Sequence, residues 1–598
     1  MRPLTLLLPL LLTACQVTPN AVDRTPGVTG SSIALLPDGK RLVVTDPDQG
    51  SVSVVDTDSL ALLGRVVVGG EPHQLLVMGT QVVVANYRGG ELVIVDPDAL
   101  QVVARKQVCA GPWGLARAPA GWLAVACEWQ GEVRKVSPDL QTVATIGPVW
   151  RVRAVAVQGE TVRAANFVGP DVRIWSFGPQ GTQSLRPVPD GLADGRADLS
   201  KMSPSQVTTL LPLADGGMLV AMQLVANAGS DDAKLPSGYG TLTDGQPKIN
   251  PVVLRLNSDD RIVGPATYAR YDNTGRGFNH PSALALASAN RVLVTHLSTH
   301  DVAQLDLTAD QTDARLVQRQ ATAAGARGIA VAPERGLAWI DGAFDNAISR
   351  VPIDAMLAPP DALQTRVRAL PQPFSTAARA GRKAFHDAGN QHLTPLGVVA
   401  CNSCHADGGD DGLVWHLHAG TVTPRARRSQ HLGVAPVGLA GLHWDAEFAA
   451  LFDLLQSTVP NLMGGDALLL NADDFTAYLR EIVQTPIPPP GDAAAIARGK
   501  TLFQAPALDC ARCHSGPDYT DLQQHAALTP MTTLPGDTLT TARTPSLRGV
   551  FLRAPYFHDG RAADLYALHK RSDLADHGDT SGLTDAEMAD LVAFLKSL

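Results

Sequence analysis

No long run of lysine or arginine occurs among the 598 residues, and the formal net charge is −9, so no nucleic-acid partner is expected. The apolar run Leu4 to Leu12 is well short of the roughly 20 residues that a bilayer-spanning helix needs. It follows Met1-Arg2-Pro3 and precedes Thr13-Ala14-Cys15. That order of charge, apolar core and small residues is a signal peptide over residues 1–14. Cysteine is scarce, with seven in the chain. Hydrophobic residues make up 45% and charged residues 18%, which is ordinary globular protein, and the length suits about three to five domains.

Four of the seven cysteines form two copies of one pattern: Cys401-Asn402-Ser403-Cys404-His405 and Cys510-Ala511-Arg512-Cys513-His514. C-x-x-C-H is the c-type haem attachment pattern. Two thiols one helical turn apart form thioethers to the haem vinyl groups, and the adjacent imidazole binds the iron. A zinc site uses the same residue types but wants further ligands at close range, and no other cysteine lies near either copy. The expected cofactors are two covalently bound haem c groups, with His405 and His514 on the irons.

Leu12-Thr13-Ala14-Cys15 resembles the lipobox of bacterial lipoproteins. The resemblance implies cleavage before Cys15, lipidation of Cys15 and anchoring to a membrane on the periplasmic side. Gln16 in place of Asp points to the outer membrane. Cys109 and Cys127 remain, in an oxidising compartment where disulfides persist. A disulfide between them is expected, with two separate buried thiols as the alternative.

After a linker over 15–30, a repeat begins. Thr45-Asp46-Pro47-Asp48-Gln49-Gly50-Ser51-Val52-Ser53-Val54-Val55-Asp56 recurs as Ala85-Asn86-Tyr87-Arg88-Gly89-Gly90-Glu91-Leu92-Val93-Ile94-Val95-Asp96, and again from Ala126 and Ala165. A period near 40 with short alternating strands and glycine turns means propeller blades. Looser copies follow, making seven inner hairpins and an all-β propeller over 31–357. The strand Ser31 to Leu36 has no blade of its own and is expected to complete the last blade. The first blades resemble the YVTN family of seven-bladed propellers, which implies the fold and not a function. His73, Trp113, Arg153, His280 and Arg327 recur near one mouth of the central channel. They are read as packing between blades, with a binding ring as the alternative.

A proline-rich linker occupies 358–374. Two mainly α-helical cytochrome c domains are expected at 375–485 and 486–598, because Gly381, Arg382 and Phe385 before the first motif recur as Gly499, Lys500 and Phe503 before the second. Arg543-Thr544-Pro545-Ser546-Leu547-Arg548-Gly549-Val550 and Ala554-Pro555-Tyr556-Phe557-His558-Asp559-Gly560-Arg561 resemble the second haem domain of bacterial di-haem cytochrome c peroxidases and MauG-type enzymes. Leu442-His443-Trp444-Asp445-Ala446-Glu447 is the matching stretch of the first domain.

That resemblance implies a division of labour. Peroxide is bound and cleaved at the haem on His405, the haem on His514 transfers electrons, and Trp444 relays between them. The family's distal Glu falls at Leu462, so Asp445 or Glu447 is expected to substitute in acid–base work. His416 or His418 is the expected distal ligand of the first haem. His569 is that of the second, with Met531 and His525 as alternatives. Calcium between the domains is not expected: Pro424-Arg425-Ala426-Arg427-Arg428-Ser429 lacks the family's Asn, and Arg553 is suspected in the ion's place.

The function expected is a di-haem oxidoreductase of the peroxidase or MauG kind, with the propeller as a platform for a substrate or a redox partner. Peroxide, a small molecule or a protein is the substrate, and a redox protein the electron donor or acceptor. The alternatives are an electron-transfer cytochrome without peroxide chemistry, and a propeller binding module with redox-sensing haems.

Overall fold

The computed structural model describes residues 24–188, 202–225, 249–263, 277–308, 315–353, 364–395, 397–417, 425–428, 430–432, 441–526, 539, 541–570 and 577–598. Cys15 and the signal segment, His418, Met531, most of the 226–250 insertion and the segment 433–440 lie outside these residues. Among them, no helix is long and apolar enough to cross a membrane.

Seven antiparallel sheets form a ring at 33–67, 72–107, 112–148, 152–185, 203–256, 281–321 and 326–367. Six have four consecutive strands, and the fifth has three among the described residues. The inner hairpins read as nearly continuous apolar runs because each blade is buried on both faces. Leu42 and Val44 of the first blade pack against Trp339 and Ile348 of the seventh. Val43, Val52 and Val54 face Leu75, Val82 and Val84 of the second. Outermost strands such as Gln101–Gln107 are largely exposed. Cys109 and Cys127 are joined by a disulfide.

The ring closes differently from the sequence expectation. Ile33–Leu35 is the innermost strand of the first blade, paired with Arg41–Asp46. The seventh blade takes its fourth strand from Gln364–Val367, inside the segment read as linker. A short alternating run does not declare which sheet edge it joins, and the surrounding prolines conceal Gln364–Val367. Closure rests on the apolar seam at Trp339 and on buried ions. Arg368 bridges Asp46 of the first blade and Asp341 of the seventh, and Ser32 donates to Asp341 at 2.8 Å. The segment before the first blade runs up the channel. Pro26 bridges Gln158, Val28 and Thr29 pair with Arg117 and Ala116, and Ser31 bridges Leu75. A Cβ on Gly27 would stand 2.4 Å from the Arg117 carbonyl oxygen, so only glycine passes there.

The helical part is a duplication. In the first domain α1 (Thr376–His386) crosses α3 (Ala472–Glu481), with α2 (Leu451–Thr458) between them in the chain. In the second, α4 (Ala493–Gln504) crosses α7 (Asp585–Lys596), with α5 (Cys510–Cys513) and α6 (Leu565–His569) between. Gly381 and Gly499 sit at the two crossings. A Cβ on either would lie 1.9 Å from a carbonyl oxygen, that of Asp474 or Asp590. Phe385 and Phe503 are both buried. The loops 442–448 and 556–562 are equivalent, each closed by a bridge between its ends, Leu442 with Phe448 and Tyr556 with Ala562.

The first cytochrome domain docks on the propeller face where the innermost strands begin. Arg382 pairs with Asp48 of the first blade at 2.7 Å, and Lys383 with Asp345 of the seventh. Lys500, the equivalent of Arg382, is exposed. One position of the repeat is therefore an anchor in one copy and solvated in the other.

Candidate functional site

The first attachment motif lies on a short turn, Cys401–Ser403, followed by a second at Ala406–Gly408. His405 Nδ1 donates to the Gln430 carbonyl at 2.9 Å, which leaves Nε2 for a metal. Cys404 packs in an apolar cluster with Leu413, Trp415, Leu455, Val459, Met463 and Tyr478. Burial pushes the Cys401 thiol up to about 12 and the Cys404 thiol well above its usual value. Such thiols have little thiolate character, which speaks against a nucleophile.

The second motif opens a cavity of about 630 Å³, within the roughly 300–1,000 Å³ of cofactor clefts. Cys510, Cys513 and His514 line it, with Phe503, Leu568, Leu591, Leu595, His569 and His577. His514 Nδ1 donates to the Tyr519 carbonyl at 3.1 Å, so its Nε2 is again the free nitrogen. The His577 ring stands at right angles to His514 with 6.2 Å between centres. That gap has room for one metal ion with bonds of about 2 Å to each imidazole. His569 stacks on His577 at 6.5 Å. Burial pushes His577 down to about 3 and His569 to about 4, the neutral state a ligand needs. An apolar cleft, two thiols and two opposed neutral imidazoles fit haem c. His577 was not foreseen. Its signal was available, since after His558 the chain has only His569 and His577. His525, the other described alternative, is bonded to Asp521 at 2.8 Å.

Trp444 also lines this cavity, and its ring meets His558 edge-on at 6.2 Å. The two residues are equivalent members of the duplicated loops, so the copies touch at their matching positions. Arg553 lines the same cavity and donates to the Ser546 carbonyl. Glu447 is held 2.6 Å from His443 Nδ1. Neither Asp445 nor Glu447 lines this cavity or the 840 Å³ cavity at the propeller mouth. Leu462 is half-buried in a π-helical turn, Val459–Met463, while Met463 points into the core. His416 lies in the strand Val414–Leu417, paired with Arg425–Arg428.

A second cavity, about 840 Å³, lies between the propeller mouth and the first cytochrome domain. His73, Trp113, Arg153, His280 and Arg327 all line it, as do Asp407, His386 and Tyr478. These propeller residues therefore face a chamber as well as one another. His280 stands two residues earlier in its blade than the others do in theirs. His73 stacks on Trp113 at 3.7 Å, and the Arg153 guanidinium lies 3.8 Å from the Trp113 ring centre and 3.9 Å from that of Phe167. Arg153 bridges Glu128 at 2.8 Å and Asp407 at 2.5 Å. Partial desolvation pushes the Asp407 carboxyl up although its side chain is 42% exposed, and Arg153 outweighs this and holds it at about 2. This interface joins residues more than 200 positions apart, which no local pattern announces.

A family profile described as cytochrome c matches residues 496–598. The sequence is 27% identical to methylamine utilization protein MauG of Methylophilus methylotrophus over 302 residues, 40% of this chain and 89% of that protein. It is 24% identical to hydrazine synthase subunit gamma of Kuenenia stuttgartiensis over 295 residues, 38% of this chain and 79% of that one. Among solved structures, Kuenenia stuttgartiensis hydrazine synthase aligns with 54% of this chain and 94% of its own, at TM-score 0.45 and 17% identity. The chain is a fusion of a seven-bladed β-propeller with a C-terminal haem-binding cytochrome c module, similar in sequence to MauG and to the hydrazine synthase gamma subunit.

Proposed function

We propose that the protein is a di-haem c-type oxidoreductase in which electrons pass from the haem on His514, past Trp444, to a peroxide-reactive haem on His405. Similarity to MauG and to the hydrazine synthase gamma subunit, with the cytochrome c domain, supports a haem-dependent oxidoreductase. The contact of Trp444 with His558 in the wall of the 630 Å³ cavity at the second motif carries the finer reading. The haems supply one-electron and O–O chemistry when bound. The chain's part is to orient and to handle protons. Gln430 and Tyr519 fix the proximal imidazoles through their carbonyls, which sets ring orientation and raises basicity. The His443–Glu447 pair is the proton-handling pair we assign. His443 is close enough to His405 to act on it electrostatically, and a hydrogen-bonded carboxylate and imidazole can take up and return a proton. Arg553, which donates to the Ser546 carbonyl, is read as taking the place of a calcium ion between the domains. The propeller and its 840 Å³ chamber form the platform for a substrate or redox partner, and the whole is held to the periplasmic side of a membrane by lipid on Cys15.

A second reading, electron transfer without peroxide chemistry, is favoured by Leu462 at the position of the expected distal Glu. One experiment separates them. Electron paramagnetic resonance of the holoprotein is expected to give one high-spin and one low-spin iron, with peroxide consumed at the expense of a reduced cytochrome. Glu447→Gln should slow that consumption by about 10²–10⁴. Two low-spin irons indifferent to peroxide would establish the second reading instead.

A further inference from the structure

The turns into the innermost strands differ in one respect. In the third and seventh blades the turn residue is a glycine with positive φ, Gly111 at 66° and Gly325 at 79°. In the fourth and sixth blades the same position holds Arg151 at 50° and His280 at 57°. The equivalence is fixed by hydrogen bonding: the carbonyls of Gly111, Gly325, Arg151 and His280 accept from Glu128, Ala343, Phe167 and Leu297 in turn. In the fifth blade Gln206, at 49°, lies in the corresponding register shift. Left-handed backbone costs a side-chain-bearing residue free energy that glycine avoids. Three consecutive blades bear that cost, and they are the three that face the first haem attachment loop.

Each of the three reaches that loop. Arg151 Nη1 donates to the Asp410 carbonyl at 3.0 Å. Gln206 Nε2 donates to the carbonyls of Asn402 and Ser403, both at 3.0 Å. His280 Nδ1 accepts from Asn402 Nδ2 at 2.9 Å. Gln206 is itself held by Gln223, which donates to its Oε1 at 2.8 Å. Asn402 and Ser403, the two variable positions of the motif, are buried, and Asn402 Oδ1 accepts from the Asp407 amide. The second motif has Ala511 and Arg512 at these positions, and Arg512 is exposed and pairs with its neighbour Asp509.

We propose that Arg151, Gln206 and His280 are positioning residues for the loop 401–410, so that the propeller sets the orientation of the His405 imidazole and, through it, the properties of the haem on that residue. The inference rests on the reading that this loop binds haem. His405 Nδ1 is tethered to Gln430 and lies 3.3 Å from the Gly409 carbonyl. Movement of the loop therefore rotates the ring relative to its tether, and such outer contacts tune a metal site.

The test uses the full-length holoprotein and the double variant Gln206→Gly, His280→Gly. Glycine keeps the left-handed backbone but leaves the buried partners of both side chains unpaired, so some loss of stability is expected and retained attachment of both haems is the control. The expected result is a midpoint potential for the His405 haem displaced by about 59 mV, a tenfold change in a one-electron equilibrium. Its paramagnetic resonance signal should broaden, and the His514 haem should stay as it was. An unaltered potential and signal at the His405 haem, with both haems attached, overturns the clamp alone. Mass spectrometry that finds no haem on the Cys401–Cys404 peptide of the unsubstituted protein overturns the haem reading and the clamp with it.

Discussion

Two perpendicular imidazoles, 6.2 Å apart at their centres, face each other across the cavity at the second motif. One, His514, is the expected iron ligand from its place in C-x-x-C-H. The other, His577, lies half-buried where desolvation pushes it down to about 3, so it would meet a haem iron as a neutral donor without first losing a proton. His569 is parallel to His577 rather than opposed to His514. His577→Ala should therefore convert the low-spin signal of the second haem to high-spin, while His569→Ala leaves it low-spin. Paramagnetic resonance on the two variants decides the matter, and a high-spin iron in His569→Ala alone would reverse the assignment. Histidine ligation on both sides would also keep this haem at lower potential than a methionine ligand would, which suits a donor to the first site.

Helix crossings explain why the duplication is legible from the sequence alone. Glycine in mid-helix usually costs stability, about 0.8–1.0 kcal/mol relative to alanine, so its recurrence at Gly381 and Gly499 marks a packing constraint. The 1.9 Å between a built Cβ and the Asp474 or Asp590 carbonyl oxygen is that constraint. Overpacking costs about 1–3 kcal/mol and outweighs the propensity gain. Gly381→Ala and Gly499→Ala should each lower the stability of their own domain, seen in denaturant unfolding, and a stabilised variant would mean that the crossing yields. Other elements are equally legible because their causes are local: the 40-residue period, the two C-x-x-C-H loops and the equivalent loops around Trp444 and His558. What is not legible depends on distant partners. The strand Ile33–Leu35 reads as a strand from its own residues, but its edge is chosen by Arg41–Asp46. Arg153 and His280 read as packing residues until Asp407 and Asn402, more than 100 residues away, are set beside them.

Across the whole molecule, docking of the first cytochrome domain on the propeller places titratable groups around one shared chamber, and their combined effect has one sign. Burial pushes His280 down to about 3 and His386 to about 4, against about 6.5 in an unfolded chain. Between those values the unfolded state binds protons that the folded state refuses. Stability is therefore full above about pH 6.5 and declines as pH falls, by up to about 1.4 kcal/mol per unit for each histidine. Asp407, held at about 2 by Arg153 with its side chain 42% exposed, adds a smaller second limb that solvent screens. Its contribution is present above the ordinary carboxyl value of about 3.9 and is lost between there and about 2. The thermal midpoint of the holoprotein should accordingly fall in two stages on acidification. His280→Asn combined with His386→Gln removes two of the titrating groups of the first stage and should make it shallower, His569, His577 and His431 supplying the remainder, while the Asp407 stage persists. An unchanged upper limb in that double variant would mean that the seam opens before its histidines are charged, and that the propeller and the first haem domain separate as bodies rather than unfold together.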